Sequence, residues 1–281
     1  MDSFIVLVNK ERNISSNKVV NIVKNLLKAK KAGHLGTLDV LGEGLLPVTI
    51  GKATKLFDYY LTKDKVYKTI FKFGETTDTL DLEGQIRKTD DKIITLDMVN
   101  SAVKNFIGKY KQMPPQYSSK KLNGRKAYEL ARKGEEVLLK PKEVEIYDFK
   151  CLRQLETNKF EFEVHCSSGT YIRSLCRDLA EVLSTSGVMY AIQRTKCGNF
   201  DIKNSFTLEQ IKNNEFEKVE IESLFDYPKI ELSTTQFEKL KNGKCDFLGE
   251  NGFYKAYFEG NYLGNIKIEN NEMKFVLRLC L

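Results

Sequence analysis

The residues best suited to chemistry gather in one glycine-punctuated stretch, Gly33 to Gly51, which carries His34 and Asp39. Two nucleotide-binding readings of its glycines fail. A phosphate-cradling loop ends in Gly-Lys-Ser/Thr after an earlier glycine; here Ala53 follows Gly51-Lys52, and Leu46 stands in the earlier glycine's place. A dinucleotide fingerprint begun at Gly42 and Gly44 needs glycine where Pro47 stands. What remains is an aspartate on a glycine turn. An ionised carboxylate can attack as a nucleophile or accept a proton as a base, although aspartate after glycine is also a common turn or cap residue. Metal chemistry finds little support. His34 and His165 are the two histidines, and Cys151, Cys166, Cys176, Cys197, Cys245 and Cys280 include no Cys-x-x-Cys pair. These cysteines are expected as buried, reduced thiols.

Further motifs follow in a fixed order around Gly33-His34-Leu35-Gly36-Thr37-Leu38-Asp39. Ser15-Ser16-Asn17 precedes it; Gly51-Lys52-Ala53-Thr54-Lys55 and Lys65-Val66-Tyr67 come after. Gly74 to Asp81 forms an acidic turn, and Pro114 to Arg132 contains Tyr117-Ser118-Ser119-Lys120 and Gly124. Cys166 to Arg173 reads Cys-Ser-Ser-Gly-Thr-Tyr-Ile-Arg, and Arg194-Thr195-Lys196 runs on to Gly198 and Phe200. Over roughly residues 1 to 205 this series closely resembles the bacterial TruB-type tRNA pseudouridine synthases.

The resemblance implies a pseudouridine synthase fold and the isomerisation of a T-arm uridine, position 55 of tRNA, to pseudouridine. Nothing is oxidised in that reaction, so no cofactor and no metal are expected. Asp39 is implied as the catalytic carboxylate; whether it attacks sugar or base, or acts as a base, stays open. Arg173 is expected against Asp39, holding it charged, with Asp81 completing an Arg–Asp network. Tyr67 is expected to stack on the extracted uracil and to serve as base toward its C5 proton, and Tyr171 and Ile192 to line the same pocket. His34 is expected against RNA near the vacated position, and Lys120, Lys121, Arg125 and Lys126 on phosphates. The resemblance further implies a monomer without an obligate protein partner. Two other readings compete: a guide-RNA-directed enzyme of the related class, and a tRNA-folding factor without catalysis. Val40, Gly42-Glu43-Gly44, Lys10-Glu11-Arg12-Asn13 and Gln193-Arg194 depart from the family pattern, yet none removes a catalytic side chain.

The elements that must position these residues are legible in part. Phe4 to Val8 suits a strand, and Ser15-Ser16 suits the cap of a helix carrying Val19, Val20, Val23 and Leu27. Lys65 to Phe73 alternates, with Tyr67, Thr69, Phe71 and Phe73 on one face. Thr95 caps a helix that Gly108 is expected to close. Phe160 to Cys166 alternates cleanly, and Ser167-Ser168-Gly169 turns into a helix bearing Ile172, Leu175 and Leu179. Thr207 and Gln210 have capping-box spacing. Strands and helices mix without a regular βαβ period, so the expected class is α+β: a central mixed, mainly antiparallel sheet flanked by helices.

With 281 residues, 41% of them apolar, the chain suffices for one large domain and a small one. The expected division is a catalytic domain, 1–227, with an RNA-clasping insertion at about 109–142, then a β-rich, PUA-like RNA-binding module, 228–281. That module is predicted as one short helix and three strands, Phe253 to Phe258, Tyr262 to Ile268 and Met273 to Cys280. The formal net charge is +7, and Lys109 to Lys142, with ten basic residues against three acidic ones, carries all of it. Such concentration suits a phosphate-binding surface. No apolar run approaches the roughly 18 residues that span a bilayer, and the start does not read as a signal peptide. A cytoplasmic protein is expected.

Overall fold

The structure, a computed structural model, describes residues 3–117, 121–122, 125–126 and 139–279. Its first strand, β1 (Phe4–Lys10), shows how the core divides. Phe4, Val6 and Val8 enter one apolar cluster while Ile5 and Leu7 enter a second. A strand buried on both faces must read as a continuous apolar run.

In chain order there follow β2 (Ala32–His34), β3 (Glu43–Ile50), β4 (Lys65–Phe73), β5 (Glu75–Thr77), β6 (Ile86–Thr89) and β7 (Gly108–Gln112). Then come β8 (Lys121–Leu122), β9 (Arg125–Lys126), β10 (Lys142–Glu156), β11 (Lys159–Cys166), β12 (Gly187–Cys197), β13 (Phe200–Asp201) and β14 (Val219–Glu220). The main sheet runs β14-β1-β3-β12-β4-β11-β10-β7. Its neighbours pair antiparallel except β12 and β3, which run parallel through Gln193–Glu43 and Arg194–Gly44. The α+β class and the mixed, mainly antiparallel sheet are as the sequence predicts.

Helices α1 (Ser16–Leu26), α2 (Phe57–Leu61), α3 (Leu96–Ala102), α4 (Ile172–Val182) and α5 (Leu208–Lys212) flank this sheet. On one face Val19 and Val23 of α1, Val99 of α3, and Leu175 and Leu179 of α4 pack with Phe71, Phe160 and Phe162. Each such buried side chain contributes roughly 1.5–3 kcal/mol. The opposite face carries Leu45, Ala53, Leu56, Tyr60 and Phe200. The predicted caps form: the Lys18 and Met98 N–H groups donate to the hydroxyls of Ser15 and Thr95, and Thr207 with Gln210 makes the capping box. Gly108 does not close a helix. The α3 turn tightens into a 3-10 segment, Val103–Phe106, and Gly108, at φ +96°, opens β7.

Lys109–Gln112 and Lys142 belong to the main sheet, where β7 and β10 pair, so the excursion between them is narrower than 109–142. Beyond Tyr227 a second sheet forms from β15 (Lys229–Glu231), β16 (Lys244–Asp246), β17 (Gly252–Phe258), β18 (Asn261–Glu269) and β19 (Glu272–Arg278), with helix α6 (Thr234–Lys241). The predicted helix and three strands are there, joined by two short strands whose three residues are too few to show a period. Leu277 joins the second core cluster with Ile5, Leu7 and Tyr60, which seats this sheet on the main body. No helix among the described residues is long and apolar enough to cross a membrane.

Candidate active site

The loop between β2 and β3 carries Asp39, and its backbone is fastened on every side. Ser16, buried at the start of α1, accepts from Leu38 N–H at 2.9 Å and donates to the Leu38 carbonyl at 2.8 Å. Gly42 N–H donates to the Asp39 carbonyl at 3.0 Å, and Asn13 N–H to the Val40 carbonyl at 2.9 Å. Lys10, at the end of β1 with no exposed surface, donates through Nζ to the carbonyls of Glu11, Val40 and Gly42. Arg194 of β12, 1% exposed, donates to the carbonyls of Leu45 at 2.8 Å, Gly36 at 3.0 Å and Thr37 at 3.4 Å. Two buried cations thus flank the loop, each satisfied by main-chain carbonyls of the loop and of the segments beside it. Burial lowers the Lys10 ammonium to about 8, with Asp39 and Glu43 pulling the other way.

Gly44 allows this closure. Its φ is +94°, and a Cβ there would meet the Arg194 carbonyl at 2.5 Å, so β3 and β12 approach as they do only with glycine at this position.

Asp39 itself is half exposed and meets Arg173 of α4, whose Nε lies 3.1 Å from Asp39 Oδ2. The rest of that guanidinium is also engaged: Nη1 lies 3.3 Å from Asp81 Oδ2 and donates to the Thr79 carbonyl at 3.0 Å, and Nη2 donates to the Tyr117 carbonyl at 3.0 Å. Asp81, 3% exposed, also accepts from the Thr79 hydroxyl at 2.6 Å and from Glu83 N–H at 3.0 Å. A buried arginine fork satisfied at all three nitrogens has little freedom to turn.

Asp39 stands where two hollows meet. An outer cleft of about 930 Å³ is lined by Ser15, His34, Asp39, Asp81, Tyr117 and Arg173, with further neighbours. An inner cavity of about 280 Å³ is lined by Asp39, Lys65, Tyr67, Tyr171, Ile192 and Arg194, again with others. Thr37, Leu38, Asp39, Phe57 and Arg173 border both. Burial pushes the Tyr67 phenol up, opposed by Arg194, so it is protonated at neutral pH. Burial and then Arg194 push His34 down, which keeps its ring neutral there, and its buried Nδ1 has no partner among the described residues. The main-chain N–H of Tyr171 donates to the side chain of Gln112 at 2.8 Å, and Gln112 Nε2 donates to the Tyr171 carbonyl at 3.2 Å and to the Tyr110 hydroxyl at 2.6 Å.

The structure therefore brings together Asp39, Arg173 and Asp81 in direct contact, Tyr67, Tyr171 and Ile192 around the inner cavity, and His34 on the outer wall. Lys120 lies outside the described residues. Lys121 and Leu122 pair with Lys126 and Arg125 in a two-stranded ribbon, whose side chains also lie outside the described set. Sequence reasoning passed over Lys10 and Arg194 as site residues although both stood in quoted motifs, and it did not single out Gln112. A lysine closing an apolar strand, Phe4–Lys10, was the available signal for the first.

The fold is shared with solved structures. A crystal structure of a Cbf5–Nop10–Gar1 complex superposes with a TM-score of 0.67 at 21% identity, covering 94% of this chain and 78% of that one. The archaeal box H/ACA sRNP Nop10–Cbf5 complex gives 0.66 at 19% identity, with the same coverage of both chains. The sequence is more specific. Residues 24–172 match the TruB family pseudouridylate synthase N-terminal domain, and residues 173–227 match the tRNA pseudouridylate synthase B C-terminal domain. The chain is 38% identical to tRNA pseudouridine synthase B of Clostridium tetani over 272 residues, covering 92% of this chain and 93% of the relative. It is 39% identical to the enzyme of that name from Francisella philomiragia over 228 residues, covering 79% and 75%. This chain belongs to the TruB family and is a pseudouridine synthase.

Proposed function

We propose that this TruB-type synthase acts on tRNA and isomerises uridine 55 of the T arm, with Asp39 as the catalytic carboxylate working on an extracted nucleotide. The observation that carries this is the Asp39–Arg173 contact at the border of the inner cavity. The reaction breaks the bond from ribose C1′ to uracil N1 and forms one from C1′ to C5. The C5 proton leaves and N1 gains one, so nothing is oxidised and no cofactor or metal is called for. Arg173 aims the carboxylate, and Asp81 fixes the arginine.

The target base lies stacked inside folded RNA, so it must leave the stack to reach this cavity. Tyr67, Tyr171 and Ile192 supply its walls and His34 packs at the outer face. Tyr67 is protonated before substrate arrives, so it can take the C5 proton only as the phenolate, after its own proton has passed to solvent, a loss that Arg194 beside it favours. Lys120, Lys121, Arg125 and Lys126 take RNA phosphates from the insertion, and the sheet after Tyr227 serves as a PUA-like RNA-binding module. We place the protein in the cytoplasm, as a monomer needing no protein partner. Identity near 38% to curated tRNA enzymes, against 21% to a Cbf5 chain, favours tRNA over a guide-directed substrate.

The test is pseudouridine formation by the purified chain on a bare tRNA transcript. Wild-type protein should modify one T-arm uridine without added RNA or protein, and Asp39→Asn should bind the transcript yet form no product. Strict need for a guide RNA, or full activity in Asp39→Asn, defeats the proposal.

A further inference from the structure

The short helix α2 turns two apolar side chains toward the site. Leu56 just before it and Tyr60 within it are 1% and 0% exposed, and the Tyr60 ring stacks on Phe200 at 4.9 Å with an interplanar angle of 6°. That anchoring leaves the neighbouring face outward: Phe57 is 41% exposed and Leu61, one turn on, 49%. An isolated exposed apolar side chain needs no explanation, but these two are not isolated. Both border the inner cavity, and Phe57 also borders the outer cleft, so its ring stands on the wall where the two hollows meet beside Asp39. The inner cavity that both border also has Lys65 and Arg194 in its wall.

We propose that the Phe57 ring is a stacking platform for the nucleobase adjacent in the RNA chain to the extracted uridine. The assignment rests on the reading of Asp39 as the residue that meets an extracted nucleotide. Taking one base out of a stack exposes the face of its neighbour. An aromatic face on a fixed helix replaces the lost contact, and stacking tolerates any base because every base has a π-face. Leu61 continues the apolar surface over the inner cavity, where the uracil itself enters.

The chain contains no tryptophan, so Phe57→Trp installs a single emitter at the proposed contact. Binding of a tRNA transcript should quench its emission, and an abasic residue on one side of the target uridine should abolish the quench. Phe57→Leu, which keeps an apolar side chain without a ring, should raise KM for the transcript by roughly 5- to 100-fold. Phe57→Trp should stay near the wild-type KM. The proposal is overturned if Phe57→Leu keeps KM within about twofold of wild type, if saturating RNA leaves the tryptophan emission unchanged, or if the quench survives at both neighbouring positions when each is made abasic in turn. Wild-type protein that forms no pseudouridine overturns the parent reading and this one with it; active wild-type protein with an indifferent Phe57 overturns this one alone.

Discussion

Arg173 reaches Asp39 through Nε at 3.1 Å while its two terminal nitrogens are occupied by Asp81, Thr79 and Tyr117. The half-exposed carboxylate is thus held by a cation that is itself 6% exposed and fixed from behind. Lysine offers one charged nitrogen and no fork. Arg173→Lys should therefore lower kcat by about 100-fold or more, with a smaller change in KM. Arg173→Met should in addition cost about 3–5 kcal/mol in urea unfolding, because Asp81 is left buried without its partner. Near-normal kcat in Arg173→Lys would show that Asp39 needs only a nearby charge.

Gln112, 1% exposed, spans Tyr110 and both main-chain groups of Tyr171, two residues ahead of Arg173. Gln112→Leu leaves these groups unpaired and should destabilise the fold by about 1–3 kcal/mol. Single-turnover kcat should fall as the start of α4 loosens. Gln112→Glu keeps an acceptor for Tyr171 N–H and should recover part of the rate. Equal rates in wild type and Gln112→Leu would confine this residue to packing.

Lys10 makes stability depend on pH in a direction opposite to that of most lysines in ion pairs. Its native ammonium titrates near 8 and that of the unfolded chain near 10.5, so between those values the unfolded chain binds more protons. The Lys10 contribution to stability therefore rises as pH goes from 8 to 10.5. Denaturation of wild type and Lys10→Met across this window should show the wild-type advantage growing, or its deficit shrinking. A difference independent of pH would place the lysine charge in contact with solvent.

Affinity for RNA should fall with salt, since neutralising phosphates releases counterions. Replacing Lys120, Lys121, Arg125 and Lys126 together by alanine should reduce the slope of log K against log salt by about three. An unchanged slope would move the phosphate contacts elsewhere.

Much of this architecture could be read from local patterns. Val19 to Leu27 announce a buried helix face, and Tyr67 to Phe73 and Phe160 to Cys166 announce half-buried strands, because one face of each is apolar and the other polar. The strand β12, Gly187–Cys197, escaped. Its buried residues Val188, Met189, Ile192 and Cys197 follow no steady period of two, since register shifts at Met189/Ala191 and Arg194/Lys196 interrupt the alternation. The roles of Arg194 and Lys10 escaped for another reason. Both bind main-chain carbonyls, and every residue type has a carbonyl, so no complementary side chain in the sequence marks the partner.

Arg194 clasps Leu45 across a separation of 149 residues and Gly36 across 158. A polypeptide growing on the ribosome thus displays Asp39 long before it owns the residues that fasten it. The contacts that hold this loop are complete only once β12 has paired beside β3.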